Sequence, residues 1–345
     1  MRVGIHLSDV RADLPAATQF ADIRRLVEAA QEAGCTDFCL GQHFLYGDLR
    51  WLQPIPLLAR LAADVEPHVR LISNIVIAPL YHPVLLAEEI ATLDVVTEGR
   101  YVFGVGLGYR AEEFEALGVP YKQRGPRLDE MLELLPLLWT QNKVSYEGRF
   151  WQLRDVRPHL RPVQTPHPPI WVGGVAIAGA RRAGRLGDGY VTNPEAEPHE
   201  IRERLEAVRD GFAARGRPMT PQPLRRNVML GRSVEDAVER YLAVSRDRYL
   251  AYTQRGLDVY GEADVDEHFT DLVRRHALLG TSEQVIAQVQ SLARAFPIEP
   301  LLLRPQWPSM SADDAIALVR DLGREVIPAL REIEPRADLP NLPAE

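Results

Sequence analysis

The residues able to do chemistry lie in a few short stretches of this 345-residue chain. Gln42 and His43 sit in "GQHF", directly after an apolar run, and His43 is the candidate for proton transfer because imidazole is the side-chain type most often used for it. In "SNIVIAPLYHP" (73–83), Ser73 and Asn74 interrupt what otherwise reads as a strand covered on both faces, because Val69, Leu71 and Ile72 precede them and more β-formers follow. Two polar side chains in that position need partners within the protein or on a ligand. Glycines cluster in "GVGLG" (Gly104, Gly106, Gly108) and in "VGGVAIAG" (Gly173, Gly174, Gly179). The first cluster lacks the spacing of G-x-G-x-x-G and has no acidic residue at a following strand end, so it is a weak dinucleotide signal. The nine histidines show no ligand spacing, and Cys35 and Cys39, spaced C-x-x-x-C, fit neither a redox pair nor a zinc site. They read as small buried residues, and no metal is expected.

These residues need a scaffold. Strand and helix patterns alternate along the chain: "RVGIHLS", a helix over 20–34, "DFCLGQHF", a helix over 54–65, the stretch just described, a helix over 84–96 behind Pro83, "RYVFGVGLG" and "RGPRLDEMLELLPLLW". "PIWVGG", a helix over 176–186, "DGYVTN" and a helix over 198–215 continue the series. "RRNVMLG" and "EPLLLRP" supply the seventh and eighth strands, each followed by a helix. Eight unbroken units predict a (β/α)₈ barrel in a single domain, in preference to a doubly wound sheet, with insertions near 109–126, 141–168 and 245–280. "EPRADLPNLPAE" reads as a frayed tail within 333–345.

Composition bounds the setting. Apolar residues make up 46% and charged residues 26%, as in ordinary globular proteins, and the net charge of −8 argues against nucleic acid or an anionic membrane as partner. The N-terminus does not read as a secretory signal, and no run approaches the roughly 18 apolar residues of a membrane span, so a cytoplasmic location is expected.

In such a barrel chemistry belongs at the carboxyl ends of the strands. Those ends carry His6, Gln42, His43, Asn74, Gly106, Gly108, Gly173, Gly174, Thr192, Asn193 and Arg304. This predicts a mouth with few charges and glycines on adjacent strands, suited to a flat neutral ring approached closely by backbone.

Taken in order, "GQHF", Pro79 to Pro83 with "ATLDVVTEGRYVFGVGLG", "RGPRLDEMLELLPLLW", "PIWVGG" with "ARRAGRLGDGY", "LLGTSEQVIAQV" and "LGREVIPAL" resemble the bacterial-luciferase-like flavin-dependent oxidoreductases over about residues 2 to 331. The resemblance implies a non-prolyl cis peptide at Asn74–Ile75, on a bulge that supports the flavin ring. It also implies a phosphate site where "VGGVAIAG" opens a helix, with amides from Gly174 through Val175 and Ala176, together with Gly179, as donors. The family often has hydroxyl residues where Val175 and Ala176 stand. Arg127 matches the family's phosphate-proximal arginine, and Tyr109 belongs with the cofactor-binding residues. The luciferases have a second histidine where Gln42 stands, so Gln42 is placed beside His43 among the catalytic candidates while light emission is not implied.

Three functions remain open. The first is a monooxygenase using O₂ and reduced FMN from a separate reductase, with a lid in 245–280 where "RYLAYTQRGLDVYG" brings tyrosines over a site that must exclude water. The second is a 5-deazaflavin-dependent dehydrogenase or reductase, for which the lack of lysine in the loops near strands five to seven, where a polyglutamyl tail would be held, is unfavourable. The third is a flavin-binding protein without catalysis. The resemblance also implies a homodimer built on the helices over 54–65 and 84–96. The substrate's identity resides in loops with no transferable code.

Overall fold

A computed structural model describes residues 1–7, 10, 11, 13–253 and 268–340 of the chain. Eight parallel strands form the frame: β1 (Val3–Leu7), β2 (Asp37–Leu40), β3 (Arg70–Ser73), β4 (Tyr101–Gly106), β5 (Ile170–Gly174), β6 (Gly189–Thr192), β7 (Gln222–Leu230) and β8 (Ile298–Arg304). Each pairs with its sequence neighbours, β8 pairs with β1, and the ring closes as a (β/α)₈ barrel, as the alternation predicts. Between them run α1 (Ala16–Glu32), α2 (Pro54–Leu61), α3 (Pro83–Val96), α4 (Arg124–Thr140), α5 (Ile177–Leu186), α6 (Pro198–Ala214) and α7 (Val234–Thr253), and α8 (Ala312–Arg324) follows β8.

Local chemistry explains several starts. Pro54, Pro83 and Pro198 each occupy the first turn of their helix, where the missing N–H costs no intrahelical bond. Ser311 caps α8 by accepting from the Asp314 amide. Strand alternation then sorts the side chains. Cys39, Ile72, Val102, Trp171, Val191 and Leu302 form one small buried cluster inside the ring, while the larger core lies between strands and helices. Below the inner layer, Asp37 is buried between Arg2 and Arg70, at 2.9 and 2.6 Å, and closes the amino-terminal end. Both cysteines are buried, as expected, and burial pushes the Cys39 thiol up to about 12.

The connections depart from the sequence reading in detail. Residues 141–168 hold an antiparallel hairpin, Val144–Glu147 with Gln152–Val156, and 109–126 hold a short helix, Ala111–Ala116. Residues 245–253 continue α7, so the predicted insertion begins later, and 254–267, the centre of the expected lid, fall outside the described residues. Past it, Leu278–Gly280 adds an outer strand to β7. The segment read as a frayed tail is packed where described: Leu339 is buried and the Pro340 carbonyl accepts from Arg202 at 2.7 Å, with 341–345 outside the described residues. Among the described residues, no helix is long and apolar enough to cross a membrane.

Candidate functional site

A cavity of about 400 Å³ opens at the carboxyl ends of the strands. It brings together His6, Gln42, His43, Asn74, Ile75, Gly106, Gly108, Tyr109, Gly173, Gly174, Val175, Ala176, Gly179, Thr192, Asn193 and Arg304, that is, every strand-end and cofactor candidate except Arg127.

The third strand does not run on through 73–83. It stops at Ser73, the Asn74–Ile75 peptide is cis, and Val76–Ile77 pairs with β4 again before a short helical turn at Ala78–Leu80. The two polar residues have separate fates. Ser73 is fully enclosed and bonded within the barrel: its hydroxyl lies 2.8 Å from the Tyr101 hydroxyl, donates to the Gly104 carbonyl at 2.9 Å and accepts from the Gly104 amide at 3.0 Å. Asn74 lines the cavity. The glycines of β4 and β5 serve this bulge more than they serve an open platform. A Cβ on Gly104 would stand 1.8 Å from the Ser73 carbonyl oxygen, and one on Gly106 or Gly173 would meet the Ile75 side chain at 2.6 or 2.8 Å.

His43 is held by a carboxylate far away in sequence. Its Nδ1 lies 3.0 Å from Glu113 Oε1, and the same oxygen accepts from the Phe44 amide at 2.8 Å. Glu113 is completely buried, with Arg110 3.6 Å away. Trp51, Tyr46 and Tyr109 pack their rings about the imidazole at centroid distances of 4.8, 4.9 and 5.4 Å. A buried carboxylate on one ring nitrogen fixes the ring's orientation, which is the arrangement a proton-transferring histidine needs. Gln42, by contrast, spends its amide on structure: Oε1 accepts from the Ile77 amide, and Nε2 donates to Tyr81 and Gln53. These bonds tie the end of β2 to the bulge while Gln42 also lines the cavity.

On the β5 side, Ala176 occupies the N-cap position of α5 and offers no side-chain acceptor, which leaves first-turn amides for water or an anion. Gly179 is not one of these donors, because its amide bonds the Ala176 carbonyl at 2.8 Å. Arg127 turns away from the cavity and lies over Phe150 and Trp151 of the hairpin, 4.9 and 5.5 Å from their centroids. Arg124, one turn earlier, lines the cavity instead. Its guanidinium stacks 3.8 Å from the Tyr121 centroid, and its Nε is buried without a hydrogen-bond partner.

The expectation of few charges at the mouth is also corrected. Arg225 from β7, Arg248 and Tyr249 from α7, Arg304 from β8 and Glu195 after β6 all line the cavity. Burial raises the Glu195 carboxyl, opposed by Arg225 and Arg304. Burial, and then the charges of Arg225, Arg304 and Arg248, hold the His6 imidazole well below its ordinary value. Asn193 accepts from Arg204 at 2.8 Å. Sequence reading missed Glu113, Arg124, Arg225, Arg248 and Glu195. Arg124 opens the same helix turn as Arg127, and only the helical phase separates the two.

Known proteins bear on this geometry. A P. putida FMNH(2)-dependent dimethylsulfone monooxygenase is 31% identical over 199 residues, 56% of this chain and 54% of that protein. An F420-dependent glucose-6-phosphate dehydrogenase of Microbacterium testaceum is 35% identical over 169 residues, 47% of this chain and 49% of that protein. The chain thus spans about half the length of these curated relatives. The crystal structure of monooxygenase RslO1 from Streptomyces bottropensis superposes with a TM-score of 0.84 at 26% identity, covering 96% of this chain and all of that one. The family model described as luciferase-like monooxygenase matches residues 1–297. With that match across most of its length, the chain belongs to the luciferase-like monooxygenase family.

Proposed function

We propose that the chain is a flavin-dependent oxidoreductase, specifically a monooxygenase that uses O₂ and reduced FMN delivered by a separate reductase to oxidise a small organic substrate. The observation that carries this reading is the pairing of two features in one cavity: the Asn74–Ile75 bulge against β4 on one side, and on the other the α5 N-terminus with Arg124, whose buried Nε is unpartnered. The second feature suits a phosphate and the first a ring system, so the residues present fit a flavin mononucleotide. Reduced flavin supplies the electrons that activate O₂. The chain's own share is to hold the phosphate with Arg124 and the first amides of α5, to seat the ring against Ile75, and to present His43, oriented by Glu113, for proton transfer to or from the substrate. The ordered His43–Glu113 pair favours an enzyme over a binding protein without catalysis.

A 5-deazaflavin-dependent dehydrogenase is the second reading, supported by the relative from Microbacterium testaceum named for F420-dependent activity. The test is to saturate purified protein separately with FMN and with the deazaflavin, remove excess, denature, and identify what is released by absorbance and mass. Stoichiometric FMN release supports the first reading, and retention of the deazaflavin alone replaces it with the second. We also infer a homodimer built on α2 and α3, supported by the exposed Leu85, Val95 and Val96 on α3.

A further inference from the structure

A second cavity, of about 330 Å³, adjoins the one at the strand ends, and His43 and Trp51 line both. The loop after β2 and the end of the short helix Ala111–Ala116 form its walls. Phe44, Tyr46 and Trp51 turn three aromatic side chains onto it, the last two with ring centroids 4.5 Å apart. Its polar side chains are engaged elsewhere: Arg50 donates to the Leu14 carbonyl at 2.6 Å, and Gln53 donates to the His43 carbonyl while accepting from Gln42. The loop is fixed in place by buried charge. Glu113 accepts from the Phe44 amide at 2.8 Å, and Arg110 donates to the Phe44 and Leu45 carbonyls at 2.8 and 3.3 Å. Held this way, Leu45 takes a left-handed backbone, with φ 51°, and its side chain is 73% exposed, while Leu117 on the same cavity is 48% exposed. A bulky residue enters that region only where its surroundings enforce it. An enforced conformation that leaves apolar surface in water does not stabilise the free protein, whereas a ligand that covers the leucines recovers that surface.

The walls select the ligand. An apolar, ring-lined and preformed cavity suits an uncharged aromatic group, which gains from edge and face contacts with the rings beyond the area it buries. The shared walls set its direction, because a molecule lying against His43 can also lie against Trp51. We propose that the second cavity binds an aromatic ring of the substrate, so that this protein acts on aryl compounds whose reacting group lies beside His43 in the first cavity. The inference rests on the reading above, in which a substrate is oxidised beside His43.

The test is calorimetric titration of the purified chain, alone and saturated with FMN, using 4-phenylbutan-2-one, 4-cyclohexylbutan-2-one and butan-2-one. The phenyl ketone should bind at least ~10-fold more tightly than butan-2-one and about 3-fold more tightly than the cyclohexyl ketone, although the saturated ring is the more hydrophobic. Phe44→Leu should erase the preference for phenyl over cyclohexyl, and Ala116→Trp, which fills the cavity from its helix wall, should bring both ring ketones to the affinity of butan-2-one. FMN affinity should change by less than ~3-fold in either variant. Equal binding of the three ketones, a preference for the cyclohexyl ring, or a phenyl preference untouched in both variants overturns the proposal. So does a dimer that Leu45→Glu converts to monomer while the ketones show no ring preference, which would assign the rim to a second copy. Photolabelling of the wild-type chain with benzophenone locates the ring whether or not the variants fold: labels within 44–53 or 111–117 support the proposal, and labels confined to other segments refute it. Failure of the wild-type chain to bind FMN would remove the cofactor reading, while the ketone ratios on the chain alone still judge this one.

Discussion

Replacing Gly104 with alanine tests whether the bulge is built by backbone contact or by side-chain packing. The new Cβ would lie 1.8 Å from the Ser73 carbonyl oxygen, and that oxygen belongs to the backbone immediately before the bulge, so β4 and β3 must separate by more than an ångström. Separation stretches the two bonds between the Ser73 hydroxyl and Gly104, now 2.9 and 3.0 Å. Two buried hydrogen bonds at about 1 kcal/mol each, with overpacking of about 1–3 kcal/mol, are offset by about 0.5–1 kcal/mol from the reduced freedom of the unfolded chain. The net expectation is a loss of about 2–4.5 kcal/mol in urea denaturation, with weakened FMN binding because the bulge moves. Gly106→Ala is the control. Its Cβ meets the terminal Ile75 methyl at 2.6 Å, and a flexible side chain can give way, so the cost should stay below about 1.5 kcal/mol and be relieved by Ile75→Val, which removes that methyl. Equal destabilisation by the two alanines, or a Gly104→Ala protein with unchanged midpoint and FMN affinity, would refute the reasoning.

Arg124→Met should abolish the preference for FMN over riboflavin, a loss of ~10-fold or more measured by flavin fluorescence, while Arg127→Met leaves it unchanged. Glu113→Gln should lower substrate turnover about tenfold in the native background and not at all in His43→Ala, because the carboxylate acts through the imidazole it holds at 3.0 Å; equal effects in both backgrounds would mean that it serves the fold alone. His6 and His276 are held below their ordinary value of 6.5, His276 down to about 3, mainly by burial. Their neutral forms are favoured by folding, so this contribution is fully present above 6.5 and is lost as pH falls below it, with a slope on the order of 1 kcal/mol per pH unit for each histidine. His276→Phe should flatten that slope by one proton's worth in denaturation series across mildly acidic pH. Sedimentation should give a dimer that Leu85→Glu with Val96→Glu converts to monomer, and a wild-type monomer at all concentrations would dismiss the α3 interface.

The barrel was legible because its signals are local. Apolar runs bounded by glycine and proline set β1 through β8, and helix-starting prolines such as Pro54, Pro83 and Pro198 mark where the return segments begin. His43 and Asn74 were legible for the same reason, as polar residues at the ends of recognisable strands. What the sequence left undecided was direction and partnership. Whether Arg124 or Arg127 enters the cavity depends on the helical phase set by where α4 starts, and the two side chains part within one turn. Gln42 lines the cavity while Ile77, Tyr81 and Gln53 converge on its amide from other segments, partners that its own neighbours in sequence do not announce. Glu113 reaches His43 across 70 residues, and Arg225, Arg248 and Arg304 meet only because the ring closes and brings β7, β8 and α7 around one mouth. Periodicity and turn chemistry are properties of neighbours along the chain, so the sequence determines the elements and their order. The charge of the cavity and the partner of each side chain arise from residues far apart in sequence, and closure of the barrel decided them.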